Sequence, residues 1–295
     1  MGHGARWASR WTLAAGVVCS LLVPTAASGG QGTAPVRIAV APMISPEETV
    51  AAYRDLMDYL AARLGRPVQM KQRRTYQEVN DLLGTGQLEA AILCSGTYVH
   101  ARRQYGVELL AAPVVHGSPT YHSYVIVRES GGAASFEELR GRRFAFTDPL
   151  STTGYLYPVY LLLGRGASPR DFFAKTLFTY SHDNSIEAVA EGVVDGAAVD
   201  SLIYDYLQAN HPARVARARV VHRSPAFGNP PVAVPRGVPA DLKRRLREAF
   251  LGLDADPRGR EILARLGVDR FLTGEERLYD GVLEMLRAVE RGRRP

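Results

Sequence analysis

The sequence predicts an α/β fold built as two sheet-centred lobes. Three observations carry that prediction. Short apolar runs alternate with amphipathic stretches through residues 36–105, in the β-α-β-α-β-α order of parallel strands with covering helices. A second run of the same alternation starts near Arg143. Between them lie two extended apolar stretches, residues 109–115 and 121–127, which read as long strands of a hinge ribbon. The chain has 295 residues, of which 46% are hydrophobic and 22% charged, so it is long enough for two globular domains. Its 28 glycines and 18 prolines are scattered and no heptad run persists, which excludes collagen, coiled coil and disorder as the main architecture.

Residues 1–28 read as a secretory signal peptide. Arg6 and Arg10 give a positive start, residues 11–23 are an apolar core, and small residues at 24–28 offer a cleavage site. The apolar run is shorter than the ~20 residues a membrane span needs. Cys19 raises lipid attachment, but Gly16-Val17-Val18 before it fits a lipidation box poorly. The expectation is an exported, periplasmic, soluble protein. Losing Arg6 and Arg10 lowers its formal charge from +6 to +4. No basic block interleaves with aromatics, so a nucleic-acid surface is not expected.

Each element then follows in order. Residues 36–41 form an apolar strand. Ser45-Pro46-Glu47-Glu48 is a helix start, Val50, Tyr53, Leu56, Leu60 and Leu64 recur at helical spacing, and Gly65 stops the helix. Residues 68–70 are a second strand. Thr75 caps a helix carrying Val79, Leu82 and Leu83. Residues 90–93 are a third strand, running into Cys94-Ser95-Gly96-Thr97 and another helix. In the second half, 143–146 is a strand, 151–163 a helix, 177–180 a strand, 186–191 a helix and 196–199 a strand. Residues 220–221 and 232–234 read as the return path. From Ala240 onward the chain reads as helical, with Arg260, Arg265, Arg270, Arg277 and Arg287 on a solvated face. The domain expectation is residues 34–117 plus 222–295 in one lobe and 118–221 in the other.

Four constellations carry chemistry. Thr147-Asp148-Pro149-Leu150-Ser151-Thr152-Thr153-Gly154 follows a strand and opens a helix. One of the hydroxyls at Ser151, Thr152 and Thr153 caps the helix. The others, with the first-turn amides, make a donor cluster suited to a tetrahedral oxyanion. Ser181-His182-Asp183-Asn184 occupies a second strand-to-helix turn. Asp183 or Asn184 is the expected cap, and His182 is either a surface histidine or a donor to an anion. Asp200 ends an apolar strand, where α/β proteins place ligands. It can accept a proton carried by the ligand, which favours phosphate, phosphite or phosphonate over sulfate. Cys94 also ends a strand and is the single cysteine left after the leader. Its bland alternative is a small buried hydrophobe. Tyr76 can face the same crevice or serve as a core aromatic. No nucleophile elbow, phosphate-binding P-loop or zinc-protease motif is present, and the histidines lack metal-ligand spacing. Neither an enzyme, a metal site nor a cofactor is expected.

In sequence order, the motifs R-I-A-V-A-P, L-G-R-P-V, T-Y-Q-E-V-N-D-L-L, G-S-P-T-Y-H-S-Y, D-P-L-S-T-T-G-Y-L-Y-P and S-H-D-N-S-I-E-A-V-A-E-G-V-V-D-G-A-A-V-D-S together resemble the phosphate/phosphite/phosphonate substrate-binding proteins of ABC transporters, the PhnD-like family. The resemblance runs from about residue 36 to about residue 272. It implies the type II periplasmic-binding-protein fold, with two lobes of mostly parallel sheet, flanked by helices and joined by a two-strand hinge. It places the family's hydroxyl run on Ser151, Thr152 and Thr153, its histidine on His182, its ligand-facing acid or amide near Asp200 and a first-lobe aromatic on Tyr76. Where some members present an aromatic at a strand end, this chain has Leu93-Cys94-Ser95, and Cys94 and Ser95 join the expected ligand set. The implied function is capture of a small phosphorus oxyanion for an ABC permease, by a monomer. Some relatives are instead arsenite-binding partners of sensor histidine kinases that use a pocket cysteine, so Cys94 divides the two readings.

Overall fold

Two sheets carry the fold in the computed structural model, which describes residue 1 and residues 34–292. In chain order the strands are β1 (Val36–Val40), β2 (Val68–Lys71), β3 (Ala90–Ile92), β4 (Glu108–Val114), β5 (Thr120–Tyr121), β6 (Ser123–Arg128), β7 (Arg143–Phe146), β8 (Lys175–Phe178), β9 (Gly196–Asp200), β10 (Ala218–Arg223), β11 (Phe227–Gly228), β12 (Val232–Val234) and β13 (Arg270–Leu272). The helices are α1 (Pro46–Leu64), α2 (Tyr76–Gly84), α3 (Ser95–Tyr105), α4 (Tyr157–Leu163), α5 (Pro169–Phe172), α6 (His182–Ala190), α7 (Ser201–Asn210), α8 (Pro212–Val215), α9 (Ala240–Leu251), α10 (Pro257–Leu266) and α11 (Asp280–Gly292). The six-stranded sheet has the order β13-β4-β12-β3-β1-β2, and the five-stranded sheet β10-β6-β9-β7-β8. Residues 34–292 pack as one unit. The expected leader and Cys19 fall outside the described residues, apart from Met1. Among the described residues no helix is long and apolar enough to cross a membrane.

The sheets are mixed rather than mostly parallel. Only β2-β1-β3 and β8-β7-β9 run parallel, while β4, β12 and β13 in one sheet and β6 and β10 in the other pair antiparallel. The parallel strands are those joined by helical crossovers, which impose one direction. Helices also join β3 to β4, β9 to β10 and β12 to β13, but each of these pairs has a strand of opposite direction between its members, so no parallel ladder forms there. The two stretches expected to form a ribbon separate: β4 belongs to the six-stranded sheet and β6 to the five-stranded one. The pair between the sheets is instead β5 with β11, antiparallel, with Tyr121 opposite Phe227.

Local chemistry explains the helix starts that aim side chains at the seam between the sheets. Pro46 supplies N1 of α1, with Glu47 and Glu48 in its first turn, and Gly65 at φ 59° ends it. Thr75 and Glu78 form a complete capping box on α2. The helix expected over 151–163 is divided. Residues 152–156 make a π-helical turn, in which Ser151 O accepts from Tyr155 N at 3.2 Å and Leu156 N at 2.9 Å, and α4 follows. Several elements went unread in the sequence: α5, α8 and β11, α7, which begins directly after Asp200, and β13, inside the tail expected to be wholly helical. The five tail arginines are exposed as expected. Helix α11 packs on both α3 and α4.

Candidate functional site

Both parallel strand sets point their C-terminal ends at the same seam. From one side come the residues after β1, β2 and β3, ending in Ser45, Tyr76 and Cys94. From the other come those after β7, β8 and β9, namely Thr147 to Thr153, His182 and Asp200. The two sides touch. His182 N donates to Met43 O at 2.9 Å, Ser45 N to Asp183 Oδ2 at 3.1 Å, Tyr76 N to Asp148 Oδ2 at 3.1 Å and Thr152 N to Cys94 Sγ at 3.4 Å. Ser95, Thr152, Thr153, His182, Tyr76 and Cys94 are fully buried, and Asp200 is 1% exposed.

His182 is held in one protonation state. Its Nδ1 accepts the backbone N–H of Asp200 at 3.1 Å, with Thr147 Oγ1 also 3.1 Å away. The proton therefore sits on Nε2, which is buried and has no protein partner. Burial lowers the imidazole to about 3, against a smaller opposing effect of Asp183, so the ring is a neutral donor across physiological pH. Tyr76 Oη and Thr153 Oγ1 are likewise buried without a protein partner. Burial holds the Tyr76 phenol well above its usual value, with the charges of Cys94, Asp148 and Asp200 adding to the effect, so it too keeps its proton.

Asp200 caps α7, with its Oδ1 accepting from Leu202 N at 2.7 Å. Burial raises its carboxyl to about 7, despite the helix amides of Leu202 and Ile203. Near neutral pH it can hold or receive a proton. Burial also pushes the Cys94 thiol up, although Thr152 N–H donates to it, and its sulfur lies 3.8 Å from both Tyr121 Oη and Thr152 Oγ1.

The remaining expected residues have local duties. Ser151 caps its turn, accepting from Gly154 N at 3.0 Å. Ser95 Oγ donates to Gly228 O at 2.5 Å, which commits its proton to β11. The cap of α6 is Ser181, accepting from Asn184 N at 3.4 Å, not Asp183 or Asn184. Asp183 is free of capping because its carboxylate serves Ser45 N across the seam and lies 3.6 Å from Arg214 Nη2. Thr147, Asp148 and Tyr121 were not singled out from sequence, and Asp183 was read there only as a cap. Thr147 and Asp148 stand inside the quoted motif, which was the available signal. None of Ser151, Thr152, Thr153, Tyr76, Cys94, Ser95, His182 or Asp200 carries positive charge, so an anion here meets neutral donors.

Glycines permit the fit. A Cβ on Gly96, in the first turn of α3, would collide with the Leu150 carbonyl and stand 3.0 Å from Thr152 Oγ1. One on Gly154 would meet the side chain of Thr147 at 2.5 Å.

Comparison with known proteins agrees with this geometry. A family described as "ABC transporter, phosphonate, periplasmic substrate-binding protein" matches residues 38–279. The chain is similar to the phosphonates-binding periplasmic protein of Escherichia coli, 26% identical over 51% of this chain and 46% of that one. It is also similar to the phosphate-import protein PhnD of Mycolicibacterium smegmatis, 27% identical over 65% and 66% of the two chains. The chain thus spans about half to two thirds of these relatives' length. A solved binding protein component of an ABC phosphonate transporter from Pseudomonas aeruginosa shares the fold at TM-score 0.82 and 21% identity, covering 87% of each chain. These relatives are named for phosphonate and phosphate, which does not favour the arsenite-sensor alternative built on Cys94. With 38–279 accounted for by one family and both strand sets delivering neutral donors to one seam, the chain belongs to the periplasmic substrate-binding proteins of ABC phosphonate transporters.

Proposed function

We propose that this protein is a monomeric, exported solute-binding protein that captures a small phosphorus oxyanion (phosphonate, phosphite or phosphate) and delivers it to an ABC permease. One observation carries the reading. Tyr76 Oη, Thr153 Oγ1 and His182 Nε2 are three buried proton donors without a protein partner, all on residues at one seam. Leaving such groups unpaired costs about 1–3 kcal/mol each, and an oxyanion recovers that cost by accepting from them. The Thr152 hydroxyl, which takes the Cys94 thiol proton as acceptor, adds a further donor. Asp200 complements them, because a carboxyl near 7 can share one proton with a ligand that carries P–OH or P–O⁻. The reading includes closure of the lobe of residues 34–117 and 222–295 on that of 118–221, hinged near β5 and β11. The relatives named for phosphonates and phosphate support the ligand class.

Calorimetry with phosphite, phosphate, methylphosphonate and 2-aminoethylphosphonate tests it, with sulfate as the control. Binding of at least one phosphorus anion, and weak or no binding of sulfate, is expected. No heat with any of them, together with an unchanged melting temperature, overturns the proposal.

A further inference from the structure

The anion site is poor in positive charge. Its donors Tyr76, Thr153 and His182 are neutral, and the carboxyls of Asp148, Asp183 and Asp200 stand at the same seam. Arg214, the cation beside Asp183, is engaged by Glu48, Asp183 and Glu187 at 3.3, 3.6 and 2.6 Å. Neutral donors hold an anion at contact distance. Guiding one in from solution takes net charge, which acts over much longer range.

A basic turn borders the seam. Between β2 and α2 the chain reads Lys71-Gln72-Arg73-Arg74-Thr75, and Tyr76 follows directly. Both ends of the turn are fixed: Gln72 Nε2 donates to Pro46 O at 2.9 Å, and Thr75 closes the capping box of α2. Tyr76 N reaches across to Asp148 Oδ2 at 3.1 Å, which puts the turn at the edge where the two sides meet. At 3.8 Å per step, the Cα atoms of Arg74 and Arg73 lie within roughly 8 and 11 Å of that of Tyr76. That is about one Debye length at physiological ionic strength, ~8 Å.

These charges have no structural use. Arg73 and Arg74 are exposed and Lys71 is half-buried. Among the described residues none of the three forms an ion pair. Arg73 Nη1 donates only to the carbonyl of its neighbour Gln72, at 2.7 Å. Of the carboxylates around the turn, Glu78 is spent on the α2 cap, accepting from Arg74 N and Thr75 N at 2.8 and 3.0 Å, and Glu47 is exposed on the first turn of α1. Three neighbouring cations without counter-ions repel one another, so fold stability gives no reason for them.

We infer that Lys71, Arg73 and Arg74 steer the oxyanion into the seam without holding it there. The inference rests on the proposed capture of a phosphorus oxyanion and adds how the anion reaches its donors. A positive turn at the mouth of a low-dielectric cleft focuses the field and raises the local anion concentration. The neutral donors then take over, and release is not slowed by a cation in contact with the ligand.

The test compares the native protein with Arg73→Gln/Arg74→Gln and with Arg142→Gln/Lys175→Gln. The second variant removes the same charge at the N-terminal ends of β7 and β8, the ends turned away from the seam. The probes are phosphite, phosphate and methylphosphonate. Stopped-flow tyrosine fluorescence gives association and dissociation rates, and calorimetry gives Kd. At about 10 mM NaCl, where charges act over ~30 Å, Arg73→Gln/Arg74→Gln should slow association roughly 3- to 10-fold, raise Kd by the same factor and leave dissociation unchanged. At about 1 M NaCl, where the range is ~3 Å, it should associate as fast as the native protein. Arg142→Gln/Lys175→Gln should match the native protein in both salts. Equal association rates at low salt overturn the inference. So does faster dissociation, or a deficit that survives about 1 M NaCl, because either would make the arginines ligand contacts. Equal slowing in Arg142→Gln/Lys175→Gln also overturns it, leaving only net charge as the cause. If none of the three probes binds the native protein, the underlying function fails and this inference falls with it.

Discussion

His182 Nδ1 accepts the backbone N–H of Asp200 at 3.1 Å, so two residues 18 apart in sequence set each other's chemistry. The bond fixes the donor proton of the imidazole on Nε2 and holds the Asp200 backbone where its carboxyl is desolvated. Their titrations pull in opposite directions, with pKa values of about 3 for His182 and about 7 for Asp200.

That opposition predicts the pH dependence of stability. His182 is lowered below its usual value, so its burial costs stability as pH falls through about 6.5 toward 3, where the unfolded chain takes up a proton and the folded one does not. Asp200 is raised, so its contribution is fully present below about 4 and is lost as pH rises toward 7. In the native protein the two slopes offset each other between about 4 and 6.5. Asp200→Asn should leave the His182 slope exposed, with a melting temperature that falls on acidification. His182→Gln should leave the opposite slope, with a melting temperature that falls as pH rises from 4 to 7. Calorimetric melts across this range check both, and parallel curves for the two variants would refute the pairing.

Closure should depend on a glycine. Ala at position 96 would push a Cβ into the Leu150 carbonyl, a backbone atom that cannot swing away. Overpacking of this kind costs ~1–3 kcal/mol. Gly96→Ala should therefore weaken anion binding roughly 10- to 100-fold while the circular dichroism spectrum and melting temperature of the free protein stay close to native.

Donor deletion should split binding from stability. Tyr76→Phe and Thr153→Val each remove a buried hydroxyl that has no protein partner. A hydrogen bond to a charged group contributes about 1.5–3 kcal/mol, so affinity should fall roughly 10- to 100-fold. The melting temperature of the ligand-free variants should be unchanged or higher, because an unsatisfied polar group is gone. A drop in both quantities would mean that these side chains are packing elements only.

Asp183 should act across the seam. Its Oδ2 accepts from Ser45 N, 138 residues away, and Arg214 bridges it to Glu48 and Glu187. Asp183→Ala strands the Ser45 amide at the start of α1, at a cost of about 1–3 kcal/mol in the closed state. The apparent Kd should rise roughly 5- to 100-fold. Small-angle scattering should show a larger radius of gyration in the presence of ligand than the native protein has.

Much of the site was legible because its parts are local. Ser151-Thr152-Thr153 and His182 stand where strands turn into helices, and Asp200 ends a strand. Such positions advertise themselves through an apolar run followed by hydroxyls, amides or acids. What escaped were roles created by distant partners. Asp148 gains its duty from Tyr76, 72 residues earlier, and Thr147 from His182, 35 residues later. The Ser181 cap was misassigned because Asp183 is an equally good capping residue until Ser45 claims it.

The sequence by itself determined the alternation of strands and helices, the cap at Thr75 and the Pro46 start of α1, and the gathering of neutral donors rather than cations. These follow from side-chain chemistry acting over a few residues. Tertiary structure alone decided the rest: mixed sheets in place of mostly parallel ones, the β5–β11 pair in place of a ribbon, and the commitment of the Ser95 proton to Gly228. It also decided which nitrogen of His182 carries a proton. Burial and partner choice act between residues that meet only when the chain is folded, and they set protonation and free valence.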